Sequence, residues 1–190
     1  DSSDVYFHRE SFMLDDFTHT RKVVADTRSG LRNSEFIPYY QPKVEVKTGK
    51  LVGCEALIRW RRDERLMTAA EIIPFAEKSR VILDVDMFVV DKVCSKIKEW
   101  KSLGYKTVPV ACNLSIFDIK HTNLASDLIN IIDKHGIDYS DITFEFNESA
   151  FVNEPVLMRN FVNEMRKFGI KIGVSTHINV HFFYFNSFFY

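Results

Sequence analysis

The first thirty or so residues are polar, with Phe17, Val24 and Leu31 recurring at a seven-residue spacing. That spacing places the three on one stripe of a helix. Such a helix either packs on its own domain or connects to a preceding domain or a partner. From Glu35 the pattern changes. Phe36-Ile37-Pro38-Tyr39-Tyr40-Gln41 predicts a strand, and Pro38 suits an edge position. A turn at Thr48-Gly49 leads into a second extended run from Lys50 to Trp60. Thr68-Ala69-Ala70-Glu71 has the form of a capping box and predicts the start of a helix. A longer helix follows, with Ile82, Val85, Val89, Val93, Ile97 and Trp100 on its apolar face and Gly104 at its end.

Three similar units come next. Gly104, Gly136 and Gly169 each follow a helical pattern and precede an apolar run. Those runs are Val108 to Asn113, Ile142 to Asn147, and Ile170 to Val174. Helix, glycine and buried strand in alternation predict an α/β fold with a parallel sheet. A doubly wound dinucleotide fold would need a glycine-rich turn after a strand, and neither GxGxxG nor GxxxxGK[ST] occurs. Polar residues instead stand at strand ends, where barrels build their sites. The expected fold is a TIM-like (β/α) barrel. The division expected along the chain is a linker helix over 1–34, a domain over 35–180 and a tail over 181–190. The tail, HFFYFNSFFY, holds five Phe and two Tyr.

Composition narrows the function classes. The chain has 190 residues, 46% hydrophobic and 27% charged, with a net charge of -1. That balance gives no basis for bulk DNA, RNA or anionic-membrane binding. Cys54, Cys94 and Cys112 form no CxxC pair, so neither a zinc knot nor a disulfide framework is indicated. No apolar run is long enough to span a bilayer and no signal peptide opens the chain. The expected setting is cytoplasmic, or the cytoplasmic part of a larger membrane protein. Because Asp1 stands first, the chain is expected to be a piece of a longer protein.

The candidate chemistry lies at strand ends. On an extended strand Gly53, Glu55, Leu57 and Arg59 share one face. Glu55 and Arg59 are then about 13 Å apart, at about 3.3 Å per residue. That is too far for an ion pair. It suits a site where Glu55 holds a metal and Arg59 grips a phosphate, unless each finds an unrelated surface partner. Asn113 and Glu148 end later strands. Converging there, Glu55, Asn113 and Glu148 would offer hard oxygens for Mg²⁺, Mn²⁺ or Ca²⁺. Taken singly, Asn113 reads better as a helix cap or turn residue and Glu148 as a first-turn acid of a helix.

Tyr40-Gln41-Pro42 followed by Gly53-Cys54-Glu55-Ala56-Leu57-Ile58-Arg59-Trp60 resembles the EAL domain. The run EIIPFAE over 71–77, Asn113-Leu114-Ser115 and Glu148-Ser149 fall in the order that resemblance requires, which extends from residue 36 to about 174. The resemblance implies an EAL-type barrel that hydrolyses cyclic-di-GMP to pGpG with two Mg²⁺ or Mn²⁺ ions. It implies Glu55, Asn113 and Glu148 as ligands of the first ion, Arg59 on a substrate phosphate and Gln41 near the nucleotide.

The family's next block is a strand ending in paired aspartates, where this chain has Ser175-Thr176. After Val174 the resemblance stops abruptly, in the manner of a frameshift or premature stop. The domain is therefore expected to be incomplete at its C-terminal end, with weak or no metal binding and no hydrolysis. It would then serve as a degenerate interaction module or a non-catalytic cyclic-di-GMP receptor. An exposed sheet edge, interior residues such as Phe144 and Phe146 left partly uncovered, and the aromatic tail predict a homodimer or higher oligomer. A nucleotide-cyclase-type or other signalling domain upstream would fit the family.

Overall fold

A computed structural model describes residues 21–62 and 64–175. Residues 21–32 form helix α1. Strands β1 (Phe36–Val44) and β2 (Leu51–Arg62) make an antiparallel hairpin, and β3 (Arg65–Thr68) folds back on the end of β2. Helices α2 (Ala69–Lys78) and α3 (Ile82–Ser102) lead to β4 (Val110–Asn113). Helix α4 (Leu124–His135) leads to β5 (Ile142–Asn147). Helices α5 (Glu148–Asn153) and α6 (Pro155–Lys167) lead to β6 (Lys171–Ser175). The strand order is β1-β2-β4-β5-β6, and β2, β4, β5 and β6 run parallel. Pro38 lies on β1, the edge strand at one end of this order, where its missing N–H breaks no ladder on the outer side.

The core lies between the sheet and its helices. Ala56, Ile58, Trp60, Val110, Cys112, Ile142, Phe144 and Phe146 are buried there, and these are the alternate residues of each strand. Against them α3 sets Val85, Val89, Val90, Val93, Cys94 and Ile97, all buried. Full burial of each aliphatic side chain is worth roughly 1.5–3 kcal/mol. Phe144 and Phe146 belong to this layer and are 0% exposed, which corrects the expectation that they would be partly uncovered. The ring of Phe146 meets that of Phe161 on α6 edge-on, with centroids 5.5 Å apart.

Several local expectations are visible in detail. The Glu71 carboxylate reaches back to the Thr68 N–H at 2.9 Å and so closes the start of α2. Gly136 ends α4 at φ 64°, a conformation that glycine adopts without strain, and its N–H returns to the Ile132 carbonyl. Helix α1 packs on its own domain: Val24 and Leu31 lie against the core, and Arg62 pairs with Asp26 at 2.7 Å. Phe17 and the aromatic tail lie outside the described residues. No helix among the described residues is long and apolar enough to cross a membrane.

Candidate functional site

The strand residues that alternate with the core set face the other way. On β1 they are Tyr39, Gln41 and Lys43, and on β2 Gly53, Glu55, Leu57 and Arg59. On β4 they are Ala111 and Asn113, on β5 Thr143, Glu145 and Asn147, and on β6 Gly173 and Ser175. The register joins them laterally. Gln41 stands opposite Glu55, Glu55 beside Ala111, Asn113 beside Glu145, Glu145 beside Gly173, and Asn147 beside Ser175. A polar row therefore crosses five strands on the face away from α3.

Four side chains of this row meet. Asn113 donates its Nδ2–H to Glu55 Oε1 at 2.8 Å. Lys43 Nζ lies 3.6 Å from Glu55 Oε2 and donates to Glu145 Oε1 at 2.6 Å. The side chains of Lys43, Glu55 and Glu145 are only 14%, 23% and 9% exposed, so water screens these charges far less than those of a surface pair. Two carboxylates, one ammonium and one amide thus form a connected group with a formal charge of -1.

Glu55 and Asn113 are in direct contact, and Gln41 sits across from Glu55. Arg59 is on the same face, two alternations further along β2. Its guanidinium carbon lies 5.5 Å over the Tyr39 ring, and Nη1–H donates to the Ile58 carbonyl at 2.8 Å. Glu148 does not join them. It is exposed, in the first turn of α5, behind the cap that Asn147 makes by accepting the Ala150 N–H at 3.1 Å. The carboxylate joined to Glu55, through Lys43, is that of Glu145 and not of Glu148. An offset of three from Glu145 is odd, and the chain has already turned from strand into helix.

Glu145 and Lys43 were both missed in the sequence. The signal for Glu145 is its place between Phe144 and Phe146: if the phenylalanines face the helices, the glutamate faces the site. Lys43 continues the alternation of Tyr39 and Gln41. Gly173 gives the Glu145 side chain room, and Gly53 lets β2 approach the Pro109 carbonyl. A Cβ on Gly173 would lie 3.1 Å from Glu145 Cγ, and one on Gly53 would meet the Pro109 carbonyl oxygen at 3.2 Å.

Beyond Asn113 the chain is fastened by buried acids. The Ser115 N–H is shared between Asp86 Oδ2 and Asp118 Oδ2, each at 3.1 Å. The Ser115 hydroxyl donates to Glu77 at 2.7 Å. Burial, then the adjacent Asp118 charge, holds the Asp86 carboxyl well above the usual carboxylate range, and burial raises Asp118 as well. The three cysteines are free thiols. Burial pushes the Cys94 thiol up to about 12, so it stays protonated and unreactive near neutrality.

The EAL domain model matches residues 24–178. The chain belongs to the EAL domain family. Among its relatives is the bifunctional diguanylate cyclase/cyclic di-GMP phosphodiesterase MucR of Pseudomonas aeruginosa, 26% identical over 170 residues. That match takes in 89% of this chain and 25% of MucR; the chain spans about a quarter of the length of the curated relatives it matches. The solved structure of the PaMucR phosphodiesterase in its c-di-GMP complex superposes with a TM-score of 0.76 at 25% identity, over 84% of this chain and 65% of that one. The EAL domain of Xanthomonas citri FimX, also solved with c-di-GMP, superposes at 0.74 and 17% identity, over 84% and 62%. The sheet described above has the architecture of these TIM-like EAL barrels, and the polar row is its interior face.

Proposed function

We propose that this EAL domain binds cyclic-di-GMP without hydrolysing it. One observation carries the reading: the acidic pair of the interior face is already neutralised in part by the protein's own Lys43, which lies against both Glu55 and Glu145. Support for the ligand comes from the named activity of relatives such as MucR and from the solved neighbours that hold c-di-GMP. Arg59, on the same face, has the planar fork that matches a phosphate. The neighbouring Tyr39 ring limits the motions of that fork.

The residues present fit one hard divalent cation. Glu55, Asn113 and Glu145 supply oxygen donors of the kind that Mg²⁺ and Mn²⁺ take. Bound there, such an ion would polarise a phosphate oxygen. They do not fit a pair of ions. At the end of β6, Ser175 stands beside Asn147 with a neutral hydroxyl, which would be a weaker ligand for a divalent cation than a carboxylate. What the chain itself supplies is therefore charge recognition of a phosphodiester at Arg59 and a hydrogen-bonded wall at Gln41, Glu55 and Asn113.

Titration calorimetry of the purified chain with cyclic-di-GMP, with and without Mg²⁺, combined with chromatography of the same samples, tests this reading. The expected result is saturable binding that Arg59→Ala weakens, with the nucleotide recovered intact. Release of pGpG that Glu55→Ala abolishes would show an enzyme. Absence of binding in both buffers would remove the receptor reading and leave a protein-interaction role.

A further inference from the structure

Lys43 and Glu145 are separated by 102 residues in sequence and joined at 2.6 Å in the fold. The Glu145 side chain lies over Gly173 on the neighbouring strand, where a Cβ would stand 3.1 Å from its Cγ. The ammonium reaches the nearest oxygens of two carboxylates that lie on different strands. That is the position a cation shared by the two carboxylates would take. Asn113 points its amide N–H at Glu55, so its carbonyl oxygen stays available as a donor.

We propose that Lys43 is a tethered cation that competes with a divalent ion for the Glu55–Glu145 pair. With the ammonium in place the acidic pair is neutralised in part without metal. A divalent ion enters only when the ammonium withdraws on its flexible four-carbon stem. The two positive charges cannot share the pair at contact distance, because the site is sheltered and their repulsion is poorly screened. The inference rests on Glu55, Asn113 and Glu145 as the donor set of the proposed function. It does not depend on whether the chain hydrolyses a nucleotide.

The test uses Mn²⁺ alone as the probe. Its binding to the whole chain is followed by the electron paramagnetic resonance of free Mn²⁺ and by the thermal midpoint in metal-free and Mn²⁺-containing buffer. Lys43→Met and Lys43→Gln are compared with the wild type. Removing the ammonium is expected to tighten Mn²⁺ binding by about tenfold or more. It is also expected to lower the metal-free thermal midpoint and to make that midpoint rise with Mn²⁺, which the wild-type midpoint does far less. Equal Mn²⁺ affinity in folded Lys43→Gln and wild type overturns the proposal. Weaker binding in either variant also overturns it, since Lys43 would then support the site. Should Lys43→Met fold only in Mn²⁺, that supports competition; should it not fold in either buffer, Lys43→Gln decides. Release of pGpG by the wild type would defeat the non-hydrolytic reading and leave this comparison to decide the role of Lys43.

Discussion

Asp86 and Asp118 converge on a single donor, the backbone N–H of Ser115, with an Oδ2 of each at 3.1 Å. Both carboxyls are buried, a side-chain hydrogen bond links them, and Asp118 Oδ1 has no hydrogen-bond partner among the described residues. Burial, and then the Asp118 charge, keeps Asp86 protonated above the usual carboxylate range. Glu77 faces the pair with a further negative charge, and His121 lies near Asp118. A carboxyl raised in the folded state binds more protons folded than unfolded. Its effect on stability therefore declines as pH rises from the ordinary carboxylate range, near 4, through the raised value. One proton gives a slope of up to about 1.4 kcal/mol per pH unit within that window. Asp86→Asn removes the titration while keeping an oxygen for Ser115 and an N–H for Asp118. The variant is expected to match the wild type in mild acid and to exceed its thermal midpoint above neutrality. An equal loss of stability at every pH would show that the pair does not share a proton.

The seating of α1 gives a second prediction. Gly30 lies under the Trp60 indole, whose N–H donates to Glu35 at 2.9 Å. A Cβ on Gly30 would stand 2.8 Å from Trp60 Nε1 and 3.0 Å from Phe36. In an open helix, alanine would stabilise by up to about 1 kcal/mol. Here the clash with a stacked, buried pair (Phe36 and Trp60, ring centroids 4.7 Å apart) is expected to reverse the sign. Gly30→Ala should lower stability by about 1–3 kcal/mol in urea unfolding, and a gain would show that α1 sits loosely on the sheet.

Much of this architecture was legible in the chain. The three helix–glycine–strand units and the Thr68–Glu71 box are local patterns, and they appear as β4, β5, β6 and the start of α2. Glu55 and Asn113 were legible because each lies on a strand whose alternation is unambiguous, Glu55 within β2 and Asn113 at the end of β4. Glu148 was misplaced because a strand of period two gives way to a helix at that residue, so parity cannot be carried across the boundary. The pairings of Lys43 with Glu145 and of Asp86 with Asp118 left no local trace: the partners lie 102 and 32 residues apart in sequence. Strand β3 was missed for a related reason. Four residues, Arg65–Thr68, are too few to show a period, and their pairing comes from the neighbouring end of β2.

Two phenylalanines of similar chemistry should respond differently. Phe146 is fully buried against Phe161. Phe146→Ala is expected to cost about 3–5 kcal/mol, the sum of lost burial and the cavity left behind. Phe168 is 38% exposed and meets Tyr139 edge-on with centroids 5.3 Å apart. Phe168→Ala should cost about 1 kcal/mol, mostly the aromatic contact. Chemical denaturation of both variants checks this, and similar losses would mean that the two layers are packed alike.

Arg59 provides the most direct probe of ligand recognition. Its guanidinium is held over the Tyr39 ring and anchored by one N–H to the Ile58 carbonyl, which leaves the remaining donors of the fork for an anion on the interior face. A bidentate, charge-assisted contact is worth about 1.5–3 kcal/mol, or roughly 10–150-fold in affinity. Arg59→Ala is expected to weaken cyclic-di-GMP binding within that range. Arg59→Lys should recover little of it, because an ammonium presents a point charge and lacks the planar fork. Tyr39→Phe should bind like the wild type, since the ring face and not the hydroxyl lies under the guanidinium. Tyr39→Ala should bind less tightly by a smaller factor, through a more mobile Arg59. Calorimetry at two salt concentrations separates the contributions, because loss of a phosphate contact also reduces the dependence on salt. Full affinity in Arg59→Lys would show that net charge alone draws the nucleotide to this face, and unchanged affinity in Arg59→Ala would place the phosphate elsewhere.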